Sequence, residues 1–182
     1  MSAPIVGTLN WLPADDRPDL LAPPVTAALE DLAAALFVAE IDPSLADTVA
    51  FCQAYRVGLE QSANCVIVSG RRREVTTMAA CLVLATDRAD VNSTVRRRIG
   101  ARTISFAAMD DAVQQTGMEY GGITPVGLPA PWPILVDRRV TEQPWVVIGS
   151  GLRRSKIAIG GADTARLPGA EVVDLALSAA AR

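Results

Sequence analysis

The spacing of apolar and polar positions changes period along the chain, and each change marks an element. In residues 25–38, Ala28, Leu29, Leu32, Ala35 and Leu36 recur at steps of three and four, which predicts an amphipathic helix. A second helix is predicted over residues 45–57. Val49, Phe51, Cys52 and Tyr55 supply its apolar surface, Asp42 or Ser44 can cap its start, and Gly58 is placed to end it in a left-handed turn. After Gly58 short apolar runs replace the helical period. Cys65-Val66-Ile67-Val68 and residues 78–85 flank the polar stretch 70–74 and predict a hairpin. Asp90 or Asn92 then caps a short basic helix that runs through Ile99 and stops at Gly100, and residues 102–106 read as a strand. The next helix, Met109–Thr116, carries acids in its first turn and ends at Gly117, while the Gly/Pro-rich residues 121–133 read as a structured loop. Strands at Ile134–Asp137, 145–149 and 156–160, and a closing helix over 171–180, complete the pattern.

Hairpin-like spacings beside helical crossovers predict an α/β fold: a single domain with a mixed sheet flanked by helices. Pro4, Pro13, Pro18, Pro23 and Pro24 punctuate the beginning, so residues 1–24 are expected as an extended, loosely attached N-terminal arm and residues 25–182 as the domain. A length of 182 residues suits one core. No repeat and no low-complexity segment is visible.

Composition removes several classes of function. No apolar run reaches the roughly 18 residues of a membrane span. The first residues carry neither a basic leader nor a cleavage signal, so a cytoplasmic location is expected. Cys52, Cys65 and Cys81 show no CxxC spacing and the chain has no His, which favours buried, reduced thiols over a disulfide or a zinc site. The net charge of −3 argues against indiscriminate nucleic-acid binding. Its distribution is uneven, however. Residues 1–62 hold nine acids and two bases, and residues 63–182 hold eleven acids and fifteen bases, so the second stretch carries +4 and can face an anion. Its dense points are Arg71-Arg72-Arg73, Arg96-Arg97-Arg98, and Arg153-Arg154 with Lys156, the one lysine of the chain.

Familiar catalytic signatures fail in turn. Without His there is no Ser-His-Asp or Cys-His pair. Gly149-Ser150-Gly151 starts like a dinucleotide fingerprint, but Arg154 stands where a third Gly is needed, and no Walker A loop occurs. The adjacent acids Asp110 and Asp111 point about 100° apart on a helix and read as complements of its dipole. Two glycine loops remain. In residues 121–127, Gly121, Gly122 and Gly127 surround Pro125, and such a loop is equally a tight turn or an oxyanion hole built from backbone amides. Gly149-Ser150-Gly151 reads as a strand-to-strand turn slightly ahead of a floor beside a phosphate or ribose.

Taken in order, Asn64-Cys65-Val66-Ile67-Val68, Leu82-Val83-Leu84-Ala85, residues 87–92, the loop GGITPVG at 121–127, Pro133-Ile134-Leu135-Val136-Asp137 and Gly149-Ser150-Gly151 resemble the YbaK-like aminoacyl-tRNA deacylases. They also resemble the related editing domain inserted in bacterial prolyl-tRNA synthetases, and the resemblance implies that the mixed sheet is partly barrel-like. The likeness covers roughly residues 40–180, and its most specific element is the G-x-x-x-P signature met by Gly121 and Pro125. The resemblance implies a free-standing deacylase that hydrolyses the ester of mischarged tRNA at its acceptor end. An aminoacyl-tRNA synthetase is a further implied partner, and neither a cofactor nor a metal is implied. It assigns catalysis to Gly121, Gly122, Ile123 and Thr124. Substrate binding falls to Asn64, Pro125, Gly127, Asp137, Gly149, Ser150, Gly151, Arg154 and Lys156. Many family members carry a Lys at the position of Asn64, and Arg154 or Lys156 is the candidate to replace that charge. A module that grips the tRNA end or a synthetase without hydrolysis is the rival reading, and a small-molecule ester hydrolase is a third.

Overall fold

The predicted hairpin is the backbone of the computed structural model, which describes residues 2–177. In chain order its strands are β1 (Leu12–Pro13), β2 (Leu36–Glu40), β3 (Ala63–Arg72), β4 (Val75–Leu84), β5 (Arg88–Ala89), β6 (Thr103–Phe106), β7 (Ile134–Asp137), β8 (Val146–Gly149), β9 (Ser155–Ile159), β10 (Ala170–Val173) and β11 (Ala176–Leu177). Its helices are α1 (Pro23–Ala28), α2 (Thr48–Tyr55), α3 (Arg96–Arg98), α4 (Met109–Thr116), α5 (Arg138–Thr141) and α6 (Gly161–Thr164). β3 and β4 pair antiparallel over their whole length, from Ala63 opposite Leu84 to Arg72 opposite Val75, with Arg73 at φ 55° in the turn. They form the centre of a mixed sheet ordered β10-β7-β4-β3-β6, in which β7 lies parallel to both β4 and β10. A second, antiparallel sheet is ordered β1-β2-β9-β8, and β11 pairs with β5. The two large sheets touch where Ser62 bridges Val147 in parallel, and neither closes into a barrel.

Side chains from both sheets share the main core. Ile67, Leu82, Ile134 and Val136 of the mixed sheet meet Val38, Val146, Ile148 and Ile157 of the antiparallel one. Full burial of each such side chain stabilises the fold by roughly 1.5–3 kcal/mol. The opposite face of the mixed sheet buries Val68, Cys81 and Leu135 against Val91, Val95 and Leu175. The opposite face of the antiparallel sheet buries Phe37, Val147 and Ala158 against Phe51 of α2. The cysteines are free thiols, Cys52 and Cys81 buried and Cys65 half-buried, and burial pushes Cys81 up to about 12.

Several expectations need correction. The helix expected over 25–38 is α1, followed by one 3-10 turn at Leu29–Asp31, and the chain then becomes β2. Leu36 and Val38 face one core while Phe37 and Ala39 face another, so burial on both sides of a sheet overrides the helical propensity of this alanine-rich stretch. The helix expected over 171–180 is, within the described residues, β10 and β11, and positions 178–180 lie outside those residues. The carboxylate of Asp137 accepts the amides of Leu175 and Ala176 and holds this segment extended. The left-handed stop of α2 is Arg56, at φ 55°, rather than Gly58.

Residues 2–24 are packed rather than loosely attached: Val6, Trp11, Ala14, Leu20 and Leu21 are buried, and the indole of Trp11 donates to the carbonyl of Val6 at 3.0 Å. Among the described residues no helix is long and apolar enough to cross a membrane.

Candidate active site

The junction of the two sheets leaves part of β3 without a second neighbour. β6 pairs with β3 only from Val68 onward, so the start of β3 has β4 on one side and an opening on the other. That opening is a cleft of about 460 Å³. Its walls come from the start of α2 (Asp47, Thr48), from β3 (Asn64, Cys65), from β8 and β9 (Ile148, Gly149, Lys156), and from the loop residues Tyr120, Gly121 and Ile123. Phe106 and Met109 complete the rim, and with Tyr120 they leave large apolar side chains exposed there.

The two glycine loops prove to be one unit. The amide of Gly151 donates to the carbonyl of Gly122 at 2.7 Å, and the amide of Glu119 donates to the carbonyl of Gly151 at 2.8 Å. A side chain at Gly149 would stand 2.3 Å from the carbonyl oxygen of Gly122 and 2.6 Å from that of Ile123. One at Gly122 would stand 2.7 Å from the Leu152 backbone. The glycines are therefore required by close approach of backbone to backbone. Gly121 further needs its positive φ of 81°. Inside this unit the amide of Gly122 donates to the carbonyl of Glu119 at 2.9 Å, which takes it out of any oxyanion hole. The amides of Gly121 and Ile123 have no partner among the described residues, and both residues line the cleft.

Lys156 on β9, which also lines the cleft, is only 8% exposed. Its Nζ donates to the carbonyl of Ala46 at 2.9 Å and lies 5.2 Å from the centre of the Phe51 ring. Burial disfavours its charged form and lowers it to about 8. Asn64 accepts a hydrogen bond from the hydroxyl of Thr48 through Oδ1, at 2.7 Å. At the rim, the guanidinium of Arg153 donates to the carbonyls of Tyr120 and Pro43, at 3.3 and 3.2 Å, and lies 3.7 Å from Asp47. Its amide donates to Glu119 at 2.6 Å. Arg153 thus spans the rim from the glycine loop to the segment before α2.

Of the residues singled out by sequence, Asn64, Gly121, Ile123, Gly149 and Lys156 meet at the cleft. Others support it from behind. Thr124 is fully buried and its Oγ1 has no hydrogen-bond partner, the one such side-chain atom among the described residues. Pro125 is buried, and Gly127 at φ 77° packs on the Pro24 carbonyl. The hydroxyl of Ser150 is fully buried, bonded to Ser155 and to the backbone of Leu152, so it does not face a substrate. Asp137 and Arg154 lie elsewhere. Asp137 caps α5 and anchors residues 175 and 176, while Arg154 donates to the carbonyl of Asp19.

Sequence reasoning did not select Thr48, Arg153 or the exposed rim of Phe106 and Met109. Arg153 stood inside a noticed basic run, but nothing local distinguishes it from Arg154. Apolar side chains on a rim carry no local signal at all, because such residues are ordinarily assigned to the core.

The family model described as the aminoacyl-tRNA editing domain matches residues 42–167. Among solved structures, a candidate trans-editing enzyme for prolyl-tRNA synthetase is 25% identical at a TM-score of 0.72, with 86% of this chain and 97% of that chain covered. A scaffold protein from computational grafting of linear epitopes is also 25% identical, at a TM-score of 0.73 over 86% and 97% of the two chains. A protein described only as hypothetical shares the fold at 21% identity and a TM-score of 0.70, over 84% and 96%.

Proposed function

The chain belongs to the aminoacyl-tRNA editing domain family, and on that premise we propose that it is a trans-acting deacylase that hydrolyses the ester between a wrongly attached amino acid and the terminal ribose of a tRNA. The observation that carries the proposal is one cleft lined both by Gly121 and Ile123, whose amides have no partner among the described residues, and by the buried Lys156.

The chemistry asks little of side chains. An aminoacyl ester is already activated, and the neighbouring ribose hydroxyl can assist a water that attacks the carbonyl carbon. As the water adds, negative charge grows on the carbonyl oxygen, and the two amides donate to it. Preorganised donors in a site shielded from water have large leverage on such charge. Collapse of the tetrahedral intermediate breaks the bond to the ribose oxygen, which leaves as a hydroxyl with a proton from the attacking water, and the amino acid departs as the free acid.

Lys156 supplies the positive charge that Asn64 does not. It is the better candidate than Arg154, whose guanidinium is held at the carbonyl of Asp19 away from the cleft. With Asn64 tied to Thr48, the ammonium of Lys156 is left to orient the ester or the terminal phosphate. Similarity to a candidate trans-editing enzyme supports action on tRNA charged by another protein.

A panel of mischarged tRNAs tests the reading. Turnover of at least one member, abolished by steric intrusion at the glycine loop, is the expected result. Binding without hydrolysis across every amino acid would overturn it in favour of an acceptor-end or synthetase-binding module. Equal activity on aminoacyl esters lacking the tRNA body would favour a small-molecule esterase.

A further inference from the structure

The far end of β3 carries a second feature that the cleft does not use. Arg71 and Arg72 end the strand and Arg73 forms the turn, while Arg96, Arg97 and Arg98 make up α3 and Arg102 precedes β6. All seven are exposed. The pieces are tied together: the guanidinium of Arg72 donates to the carbonyl of Gly100 at 3.4 Å, the amide of Arg102 to the carbonyl of Arg71 at 2.8 Å, and the amide of Ala101 to the carbonyl of Arg96 at 3.0 Å. Arg72, Arg73 and Arg102, with Gly100 and Ala101, line a notch of about 420 Å³. Only Glu74 and Glu171 form ion pairs with members of the cluster among the described residues; Arg97 lies near enough to Asp90 to help lower its pKa, and Arg72, Arg73, Arg96 and Arg102 have no acid in ion-pair contact. In a chain whose net charge is −3, this is a local excess of cations that repel one another, and it is relieved by a polyanion.

Its position relates it to the cleft. Asn64 and Arg72 sit on the same strand, eight residues apart, which at about 3.3 Å per residue is roughly 26 Å. Between them Phe106, 68% exposed, pairs with Val68 and also lines the cleft, so it offers an aromatic surface on the way. Cations that take a duplex backbone, followed by an aromatic that stacks an unpaired base, followed by a reaction cleft, match the order of parts in a tRNA acceptor arm.

We infer that the arginine end of the β3–β4 hairpin, together with α3, holds the phosphate backbone of the acceptor duplex of a tRNA while the unpaired 3′ end passes Phe106 into the cleft. This rests on the proposed reading of the cleft, since a duplex held there has a purpose only if its 3′ end is the substrate. The surface reads no sequence, because guanidinium contacts to phosphate fix register and orientation and leave base identity to other contacts.

The experiment measures binding and hydrolysis apart. Binding of an uncharged RNA hairpin with an unpaired CCA end is followed by fluorescence anisotropy between 50 and 200 mM salt. Hydrolysis is followed on an aminoacyl-adenosine, which has no duplex. For the full chain carrying R72Q, R73Q and R102Q, three lost phosphate contacts lower the slope of log K against log salt by about 2.7 and weaken binding at 50 mM by tenfold or more. The conservative set R72K, R73K and R102K retains most of the affinity, and Glu74→Gln, which removes the acid beside Arg71, tightens binding a fewfold. Hydrolysis of aminoacyl-adenosine is unchanged in all three. Equal affinity and equal slope in wild type and the Gln variant, or no binding of the hairpin by wild type, overturns the surface. Absence of hydrolysis of both aminoacyl-adenosine and the panel of mischarged tRNAs, while the hairpin binds with the expected slope, overturns the reading of the cleft and leaves the surface standing.

Discussion

β3 has two ends that do opposite things with polarity. At its start, Ala63–Cys65 border a cleft lined by the buried Lys156 and by Gly121 and Ile123, whose amides have no partner among the described residues. At its end, Arg71 and Arg72 join five further arginines in open water. In the cleft a few fixed dipoles act strongly once a bound substrate displaces the water, and their leverage is lost when backbone moves. At the arginine end each charge is screened and replaceable, so affinity is a sum of small, salt-sensitive contributions. Chemistry and grip are separated along one strand, and disturbances of volume, charge and salt sort them.

The largest effect is expected from volume in the cleft. Gly149→Ala places a methyl group 2.3 Å from the carbonyl oxygen of Gly122, so the two glycine loops must part. We expect about a hundredfold loss of turnover from misplaced donors, with about 1–3 kcal/mol lower stability. Activity within twofold of wild type, measured on a single mischarged tRNA, would falsify the assignment of the donors to this loop.

Charge in the cleft comes next. Lys156→Met is expected to lower turnover by about tenfold or more, an effect that added salt does not mimic because the ammonium is buried. In the wild type the enzymic rate, corrected for spontaneous hydrolysis, should fall as pH rises through about 8, where Lys156 loses its proton. Stability should run the other way. Below about 8 both folded and unfolded chains carry the proton. Above it the folded chain releases the proton while the unfolded chain keeps it up to about 10.4, so more protons are bound by the unfolded state and stability rises with pH in that window. Urea unfolding at several pH values should show this rise in wild type and not in Lys156→Met.

Arg153 lies at the boundary between the two behaviours, half-buried and bonded to both sides of the cleft rim. Its replacement by Gln should raise KM a fewfold with kcat little changed, since it orders the rim and does not reach the reacting atoms; a drop confined to kcat would contradict that role. The smallest effect is expected at Thr124. Removing its unpartnered buried hydroxyl in Thr124→Val should stabilise the protein by about 1 kcal/mol, with turnover within twofold. A loss of turnover at full stability would return Thr124 to the reacting groups.

Much of this architecture is legible in the chain. The hairpin, α4 with its Gly117 stop, and β7, β8 and β9 follow from period, caps and glycines, because those signals are local. The motif order around Gly121 and Pro125 also pointed to the family whose model matches residues 42–167. β2 and β10 were misread as helix because Leu36-Phe37-Val38-Ala39 acquires its two-sided burial, and Glu171-Val172-Val173 its pairing with β7, only from neighbours far along the chain.

The glycine loop shows the same division at atomic scale. Sequence by itself determined that the backbone at residues 121, 122, 149 and 151 had to come close to something or turn sharply, since that is what glycine permits. It determined equally that the second half of the chain would carry concentrated cations. Only the tertiary structure decided that the two glycine loops close on each other through the carbonyl of Gly122, that the amide of Gly122 is closed into a turn with Glu119 while those of Gly121 and Ile123 have no partner among the described residues, and that Lys156 rather than Arg154 enters the cleft. The reason is that hydrogen-bond donors and charges are identified by residue type, whereas their availability is set by which distant segment has already satisfied them.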